Sequence, residues 1–300
     1  MRADTTPTGD GRRLPRRFTV AVVQTVPVLG DTGHNLAVAE RELSSLAGKT
    51  DLVVFPELFS TGYSLDHLDL PALAEELPDG PTVTRLAAAA RQGVAVVATL
   101  LERDDDAVYD TAIVIDDDGR LVGRYRKSHL HPSEQSHFAQ GDDLVVVQLR
   151  CGLRVGLAIC FEHGFPELFA ELALAGSDVI AVPSAVPTGF RYLLDLRTRA
   201  RAQDNQVFVL AANLGGDDGH TRWCGGSAIV DPRGDPLAVA PTDHAARLVA
   251  DLDLATIAAE RRQEPLLVHR RPELYTRLRT PLRGPTSADL PPVHRTQEEA

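Results

Sequence analysis

Leu153-Arg154-Val155-Gly156-Leu157-Ala158-Ile159 is an apolar run that ends at Cys160 and is followed by Phe161-Glu162-His163-Gly164-Phe165-Pro166-Glu167. Alternating apolar positions that run into a turn marked by glycine and proline predict a buried strand, a sharp bend and a helix. A thiol placed there leaves the carboxyl end of a strand beside a helix N-terminus, which favours thiolate. Cys160 is therefore a candidate nucleophile, although a single free cysteine is more often buried and inert.

Strand and helix patterns alternate on both sides of this segment. Further strands are predicted over residues 18–24, 51–55, 94–100, 107–116, 120–126, 144–148, 178–182, 207–212, 227–230 and 237–240, and helices over residues 35–47, 83–92, 165–175 and 192–203. Two of the strand pairs form hairpins, across Asp117-Asp118-Gly119 and across Asp231-Pro232-Arg233-Gly234. The mixture predicts a layered α/β domain with mixed sheets and helices packed outside them.

One domain accounts for the ordered part of the chain. Residues 1–16 are polar and rich in glycine, proline and arginine, which predicts a disordered N-terminal tail. Residues 280–300 carry Pro281, Pro285, Pro291 and Pro292, which predicts an extended C-terminal tail that lies on a partner subunit. Residues 17–279 between the tails show no internal repeat and no linker.

Composition and charge exclude several classes of function. The chain has 31 Lys and Arg against 42 Asp and Glu, a net charge of −11, which argues against nucleic acid as a partner. Its three cysteines have no metal-site or redox-pair spacing, and an odd number suits a reducing compartment. No segment approaches eighteen uninterrupted apolar residues, so we expect a cytoplasmic protein without a membrane partner.

Two charged residues stand where predicted strands end. Glu57 follows Leu52-Val53-Val54-Phe55-Pro56, and the apolar residues after it favour a pocket wall over an exposed loop. Lys127 ends the run from Leu121 to Arg126, and taken alone it would be a solvated strand end. Because the carboxyl ends of parallel strands converge on one edge of a sheet, we expect Glu57, Lys127 and Cys160 to share a site.

Short motifs around these residues occur together in one order along the chain. They are Pro56-Glu57-Leu58-Phe59 with Thr61-Gly62-Tyr63, Tyr125-Arg126-Lys127-Ser128-His129-Leu130, Cys160 with Phe165-Pro166-Glu167, Arg199-Ala200-Arg201-Ala202-Gln203-Asp204-Asn205-Gln206, and Gly226-Ser227 with Asp231-Pro232-Arg233-Gly234. In these motifs, from about Phe18 to Tyr275, the chain resembles the nitrilase superfamily of carbon–nitrogen hydrolases.

The resemblance implies a four-layer αββα sandwich with a Glu–Lys–Cys triad. Glu57 would be the general base, Cys160 the nucleophile and Lys127 the cation that stabilises the oxyanion. Glu134 matches a second glutamate that supports the lysine, although by itself it could be an exposed loop residue. The resemblance also assigns to substrate binding the residues Tyr63, Phe161, Glu162 and Ala185.

The branch of the family is less sharply defined by the sequence. Residues 184–190 and 199–206 resemble hydrolases of small ω-amides, so the leading hypothesis is hydrolysis of a linear carboxamide to an acid and ammonia. Phe161-Glu162 replaces the aromatic–Asp pair of many amidases, and true nitrilases have Trp at position 161. N-Carbamoyl amide hydrolysis, nitrile hydrolysis and a non-catalytic scaffold of the same fold remain alternatives.

The resemblance implies no organic cofactor and no metal, and it suggests a homodimer or higher homo-oligomer. A rival interpretation is a metal site formed by His131, Glu134 and His137 at spacings of three residues. Pro132 and the following Gly141-Asp142-Asp143 favour a loop instead, so this interpretation is the weaker one.

Overall fold

The computed structural model describes residues 17–241 and 244–279, and the two predicted tails lie outside these residues. The strands of the described part are β1 (Arg17–Gln24), β2 (Leu52–Val54), β3 (Ala95–Asp104), β4 (Ala107–Ile115), β5 (Leu121–Arg126), β6 (Val146–Gln148), β7 (Arg154–Leu157), β8 (Val179–Ser184), β9 (Phe208–Asn213), β10 (Gly215–Asp217), β11 (Arg222–Cys224), β12 (Ala228–Val230), β13 (Pro236–Val239) and β14 (Ala246–Asp253). The α-helices are α1 (Thr32–Leu46), α2 (Leu70–Leu73), α3 (Pro81–Ala90), α4 (Pro166–Leu174), α5 (Arg191–Asn205) and α6 (Ala255–Gln263).

The strands form two six-stranded mixed sheets and a small ribbon. The first sheet has the order β14-β1-β2-β3-β4-β5, with β1, β2 and β3 parallel to one another. The second has the order β13-β12-β9-β8-β7-β6, with β7, β8 and β9 parallel. Strands β10 and β11 form the antiparallel ribbon.

The two sheets pack face to face, and helices cover their outer faces. Apolar side chains between the sheets include Val22 and Val54 from the first and Leu157 and Leu210 from the second. Helices α1 and α3 pack on the outside of the first sheet, and α4 and α5 pack on the outside of the second. Because both faces of the central strands are buried, these strands are almost continuously apolar. The predicted four-layer αββα sandwich is confirmed.

The directions of the strands determine where their ends meet. Strand β4 is antiparallel to β3, and β5 is antiparallel to β4, so β5 runs in the same direction as β2. Glu57 and Lys127 therefore follow strand ends at one edge of the first sheet. Cys160 follows β7, which belongs to the second sheet. The expectation of a single sheet edge was wrong in this respect, since the site takes residues from both sheets.

Several elements of the described chain were not expected from the sequence. Strand β14 pairs with β1 along its whole length, and helix α6 follows it. Cys160 opens a short 3-10 helix, Cys160–Gly164, before α4 begins at Pro166. None of the helices in residues 17–241 and 244–279 is long and apolar enough to cross a membrane.

Candidate active site

Lys127 lies at the centre of a buried group of carboxylates. Its Nζ donates hydrogen bonds to Glu57 Oε1 at 2.6 Å and to Glu134 Oε1 at 2.7 Å. The same atom lies 3.5 Å from Asp110 Oδ2. Burial alone would lower the pKa of Lys127, but the surrounding carboxylates raise it well above its usual value. The side chain is therefore a cation held in place from several sides.

Glu57 is held in a fully buried loop after β2. Its backbone N–H lies 3.4 Å from the carbonyl oxygen of Ser184, at the end of β8. The next residue, Leu58, has a left-handed backbone with φ 44°, and its N–H donates to Thr99 Oγ1. This turn directs a carboxylate inward where a glutamate would ordinarily be solvated.

Glu134 ends the 3-10 helix Pro132–Glu134 and is buried, so the interpretation as an exposed loop residue was wrong. Besides Lys127, its carboxylate accepts hydrogen bonds from Tyr63 Oη at 2.6 Å and from the backbone N–H of His131 at 2.6 Å. Tyr63 and His131 thus hold the carboxylate in the position where it accepts the hydrogen bond from the Lys127 ammonium. Tyr63, which the resemblance assigned to substrate binding, engages Glu134 through its hydroxyl, and its contact with a substrate stays a prediction.

The metal interpretation gains no support from the geometry. Within the part of the chain that the structure describes, the potential metal-ligand group of three side chains is Glu57, Asp110 and Glu134. Lys127 Nζ already supplies a positive charge to these three carboxylates. The His131 ring instead contacts Ser133 and packs edge-on against Phe161.

Cys160 lies at the bend that the sequence predicted, with the left-handed φ of 44°. Few non-glycine residues adopt this backbone, and where one does the strain often marks a functional site. The pKa of its thiol is raised well above the usual value, first by burial and then by the charge of Glu57, while Lys127 and the Ala185 N–H act in the opposite direction. The expectation that the helix N-terminus favours thiolate was therefore wrong for the resting site, because the thiol needs a base.

Glu162 connects the bend at Cys160 to the loop that follows Lys127. Its Oε1 accepts from Tyr125 Oη at 2.7 Å, from Ser128 N and Oγ at 2.9 and 2.7 Å, and from the His129 N–H at 3.0 Å. Its Oε2 accepts from the Ile159 N–H at 2.7 Å. Burial would raise the pKa of Glu162, but the hydrogen bonds lower it. These contacts favour a positioning role over the substrate contact that the sequence predicts.

His163 is buried behind the same bend. Its imidazole interacts with the backbone of Cys160 and stacks on Phe169, with 5.7 Å between the ring centres. Burial, followed by the charges of Arg201 and Arg197, lowers the pKa of His163 to about 3. The ring is therefore neutral at ordinary pH.

The other predicted pocket residues lie around the bend. Phe161 is half-buried and contacts Phe165 edge-on, with ring centres 5.4 Å apart. Ala185 follows β8 and offers its backbone N–H to the Cys160 sulfur. Their contact with a substrate stays a prediction.

Asp110 was missed by the sequence analysis. It lies inside β4, and its side chain is fully buried beside Lys127. The signal was present, because an aspartate in the interior of a strand that otherwise reads as buried has no ordinary solvated explanation. Tyr125 was likewise read only as part of a motif, although its hydroxyl donates to Glu162.

Comparison with known proteins assigns the family. Residues 19–262 match the family model described as carbon-nitrogen hydrolase. An (R)-stereoselective amidase from Pseudomonas sp is 36% identical over 254 residues, which is 84% of this chain and 91% of that protein. Omega-amidase NIT2 from Pongo abelii is 32% identical over 250 residues, 78% of this chain and 87% of its own.

A solved structure agrees in fold. It is a mutant amidase from Nesterenkonia sp. AN1 with the acetamide moiety of fluoroacetamide added covalently at the active site cysteine. The TM-score is 0.75 at 26% identity, and the match covers 87% of this chain and 97% of that one. The chain belongs to the carbon–nitrogen hydrolase family, within the nitrilase superfamily. It is an amidase-type hydrolase of carbon–nitrogen bonds other than peptide bonds.

Proposed function

We propose that the protein hydrolyses a small linear carboxamide, of the ω-amide type, to a carboxylic acid and ammonia through an acyl-enzyme on Cys160. The observation that carries the proposal is the buried lysine between two glutamates beside a thiol on a strained bend. A nucleophilic Cys160 is supported by the Nesterenkonia amidase, whose active-site cysteine has added the acetamide moiety of fluoroacetamide. The ω-amide class is supported by the NIT2 relative.

The first half of the reaction forms the thioester. Glu57 takes the thiol proton of Cys160, and the sulfur attacks the amide carbon. Lys127 and the backbone N–H of Phe161 stabilise the oxyanion, and one such donor is worth about 3 kcal/mol. The protonated Glu57 then gives its proton to the amide nitrogen as the carbon–nitrogen bond breaks and ammonia leaves.

The second half releases the acid. Glu57, again ionised, accepts a proton from a water molecule that attacks the thioester carbon. The carbon–sulfur bond breaks, the proton returns to sulfur, and the carboxylic acid departs. In both halves Glu134 keeps the Lys127 ammonium in place through the 2.7 Å hydrogen bond.

The proposal is tested with a panel of ω-amides, N-carbamoyl amides and nitriles, in which ammonia and carbon dioxide are both measured. We expect ammonia without carbon dioxide from the ω-amides. Carbon dioxide together with ammonia would select N-carbamoyl hydrolysis, and turnover of nitriles alone would select nitrile hydrolysis. Turnover of none of them would favour the non-catalytic scaffold.

A substitution of the nucleophile locates the chemistry. We expect C160A to lower kcat by about 10³-fold or more, because the covalent step is removed. The matched control is C151A, which removes a half-buried cysteine outside the site. An acyl adduct mass on the Cys160 peptide of the wild type would support the mechanism, and undiminished turnover by a folded C160A would contradict it.

A further inference from the structure

Asp110 is a buried carboxyl group without the donors that a buried anion needs. Neither of its oxygens accepts a hydrogen bond from residues 17–241 or 244–279. Lys127 Nζ lies 3.5 Å from its Oδ2, farther than from the oxygens of Glu57 and Glu134. An ionised carboxylate in this position would have lost its hydrogen bonds to water and gained no hydrogen-bond donor from the described part of the protein in exchange.

The surrounding charges add to this cost. Oxygens of Glu57, Asp110 and Glu134 all lie within 4.8 Å of one another, and Lys127 supplies one positive charge to them. If all three carboxyl groups were ionised, the cluster would carry a net charge of −2 inside the protein. Neighbouring carboxylates in such a site share a proton, because like charges cannot all be kept close together away from water.

The contacts indicate which group holds that proton. Glu134 accepts hydrogen bonds from Lys127, Tyr63 and His131, and Glu57 accepts the 2.6 Å bond from Lys127. Both are stabilised as anions. Asp110 has no such bond, so it is the least stabilised anion of the three.

We propose that Asp110 is the protonated acid of this cluster and a positioning residue, which donates its carboxyl O–H in a hydrogen bond to Glu57. Glu57 offers an acceptor for it, since its buried Oε2 has no other partner in the described chain. The pKa of Asp110 agrees: burial and then the charge and hydrogen bond of Glu57 raise it well above its usual value, although Lys127 lowers it. The inference deepens the proposed function and rests on it for the role of Glu57.

The arrangement serves the base. A hydrogen bond donated by Asp110 keeps Glu57 ionised and oriented while Lys127 holds its other oxygen. A carboxylate has lone pairs enough to accept a thiol proton as well. Asn is a close mimic of a protonated Asp, because its amide N–H donates where the acid O–H did.

The variants D110N and D110A separate a donating acid from an ionised one. We expect D110N to keep a kcat at least about tenfold above that of D110A, with KM alike in the two. We expect the acidic limb of the D110A pH profile to move up by about 1 pH unit, because a base that loses a donor binds protons more readily. An Asp110 that acts as an anion would make D110N as poor as D110A and would overturn the proposal.

Two readouts need no substrate, so they remain valid if the proposed reaction is wrong. The infrared difference spectrum between the resting wild type and D110N should contain the carbonyl band of a protonated carboxylic acid. The control is E102Q, since Glu102 is equally buried but paired with Arg124 and Arg126, and its difference spectrum should contain carboxylate bands. Carboxylate bands for D110N would overturn the proposal.

The second readout is the rate at which iodoacetamide alkylates Cys160. D110N should react at least about tenfold faster than D110A, because only D110N keeps the donor to the base. Equal rates in two folded variants would refute the positioning role even where the infrared band is present. A panel without any turnover, combined with the expected infrared and alkylation results, would reject the proposed function and leave the assignment of Asp110 standing.

Discussion

At the scale of single residues, Glu134 determines how firmly the Lys127 ammonium is held. It accepts hydrogen bonds from Lys127 Nζ and Tyr63 Oη, at 2.7 and 2.6 Å. Removal of its charge leaves Glu57, at 2.6 Å from Lys127 Nζ, as the nearer of the two remaining carboxyl groups, since Asp110 lies at 3.5 Å. Glu57, the proposed base, would then bind the lysine more tightly and would be drawn away from the thiol of Cys160.

The substitution E134Q should therefore lower kcat by about 10- to 100-fold with little change in KM, since a charge-assisted hydrogen bond is worth about 1.5–3 kcal/mol. Steady-state kinetics on the best amide of the panel measure this. The control is Y63F, which removes one neutral donor to the same carboxylate, and its loss of kcat should be smaller. An E134Q enzyme with the kcat of the wild type would show that Glu134 is dispensable.

The sequence predicted best those site residues whose role is indicated by their immediate neighbours in the chain. Cys160 and Glu57 were found because each interrupts the pattern of a strand that ends beside it. The thiol pKa was misjudged because a helix N-terminus is visible in sequence whereas burial next to Glu57 is not. Asp110 reaches Lys127 from a neighbouring strand, a relation that only the pairing of β4 with β5 creates.

At the scale of elements, the bend at Cys160 and the loop after Lys127 behave as one unit. Glu162 joins them, because its two oxygens accept from Ile159 on one side and from Ser128 and His129 on the other. Cys160 and Lys127, the proposed nucleophile and oxyanion-stabilising cation, are thereby held at a fixed separation although they come from different sheets. A shift of the bend would displace both.

We expect E162Q to destabilise the protein by about 2–4 kcal/mol and to lower kcat, because the amide NH₂ must face donors on one of its two sides. Denaturant unfolding gives the first quantity and steady-state kinetics the second. The control E167Q changes an exposed glutamate in the first turn of α4 and should alter neither. A substrate-binding Glu162 would instead raise KM with unchanged stability, contrary to this prediction.

Elements with strong local signals were predicted well, and those with mixed patterns were missed. The hairpin of β4 and β5 was found because Asp117-Asp118-Gly119 marks its turn and Gly119 takes a φ of 81°. Strand β14 was missed because its outward face mixes Val249 with charged residues and its inward face includes a small Ala250. Pairing with β1 makes this segment a strand, and such pairing is not encoded in the segment alone.

At the scale of the whole molecule, the sandwich itself assembles the site. The ends of β2 and β5 supply Glu57 and Lys127 from one sheet, and the ends of β7 and β8 supply Cys160 and Ala185 from the other. The apolar core between the sheets fixes the distance between these two sets of strand ends. Sequence patterns predicted each strand end but not the sheet to which it belongs. The homo-oligomer and the cytoplasmic location stay predictions.

Acid stability is a property of the whole fold to which one buried residue, His163, should make a measurable contribution. The pKa of His163 is about 3 in the folded protein, against the usual 6.5, because burial and two arginines oppose its charge. Below pH 6.5 the unfolded chain binds a proton at this position and the folded chain does not. The contribution of His163 to the free energy of unfolding is fully present above pH 6.5. It should fall by about 1.4 kcal/mol per pH unit as the pH is lowered from 6.5 toward 3.

The variant H163Q isolates this contribution, because its side chain does not titrate. Carboxylates elsewhere titrate in both proteins, so the difference between the two unfolding curves reports His163. We expect denaturant unfolding from pH 7 to pH 4.5 to show a loss of stability in the wild type that exceeds the loss in H163Q by about 2 kcal/mol or more. The control H137Q removes an exposed histidine and should follow the wild type. Parallel curves for the wild type and H163Q would mean that the folded chain accepts the proton at His163 and would contradict the prediction.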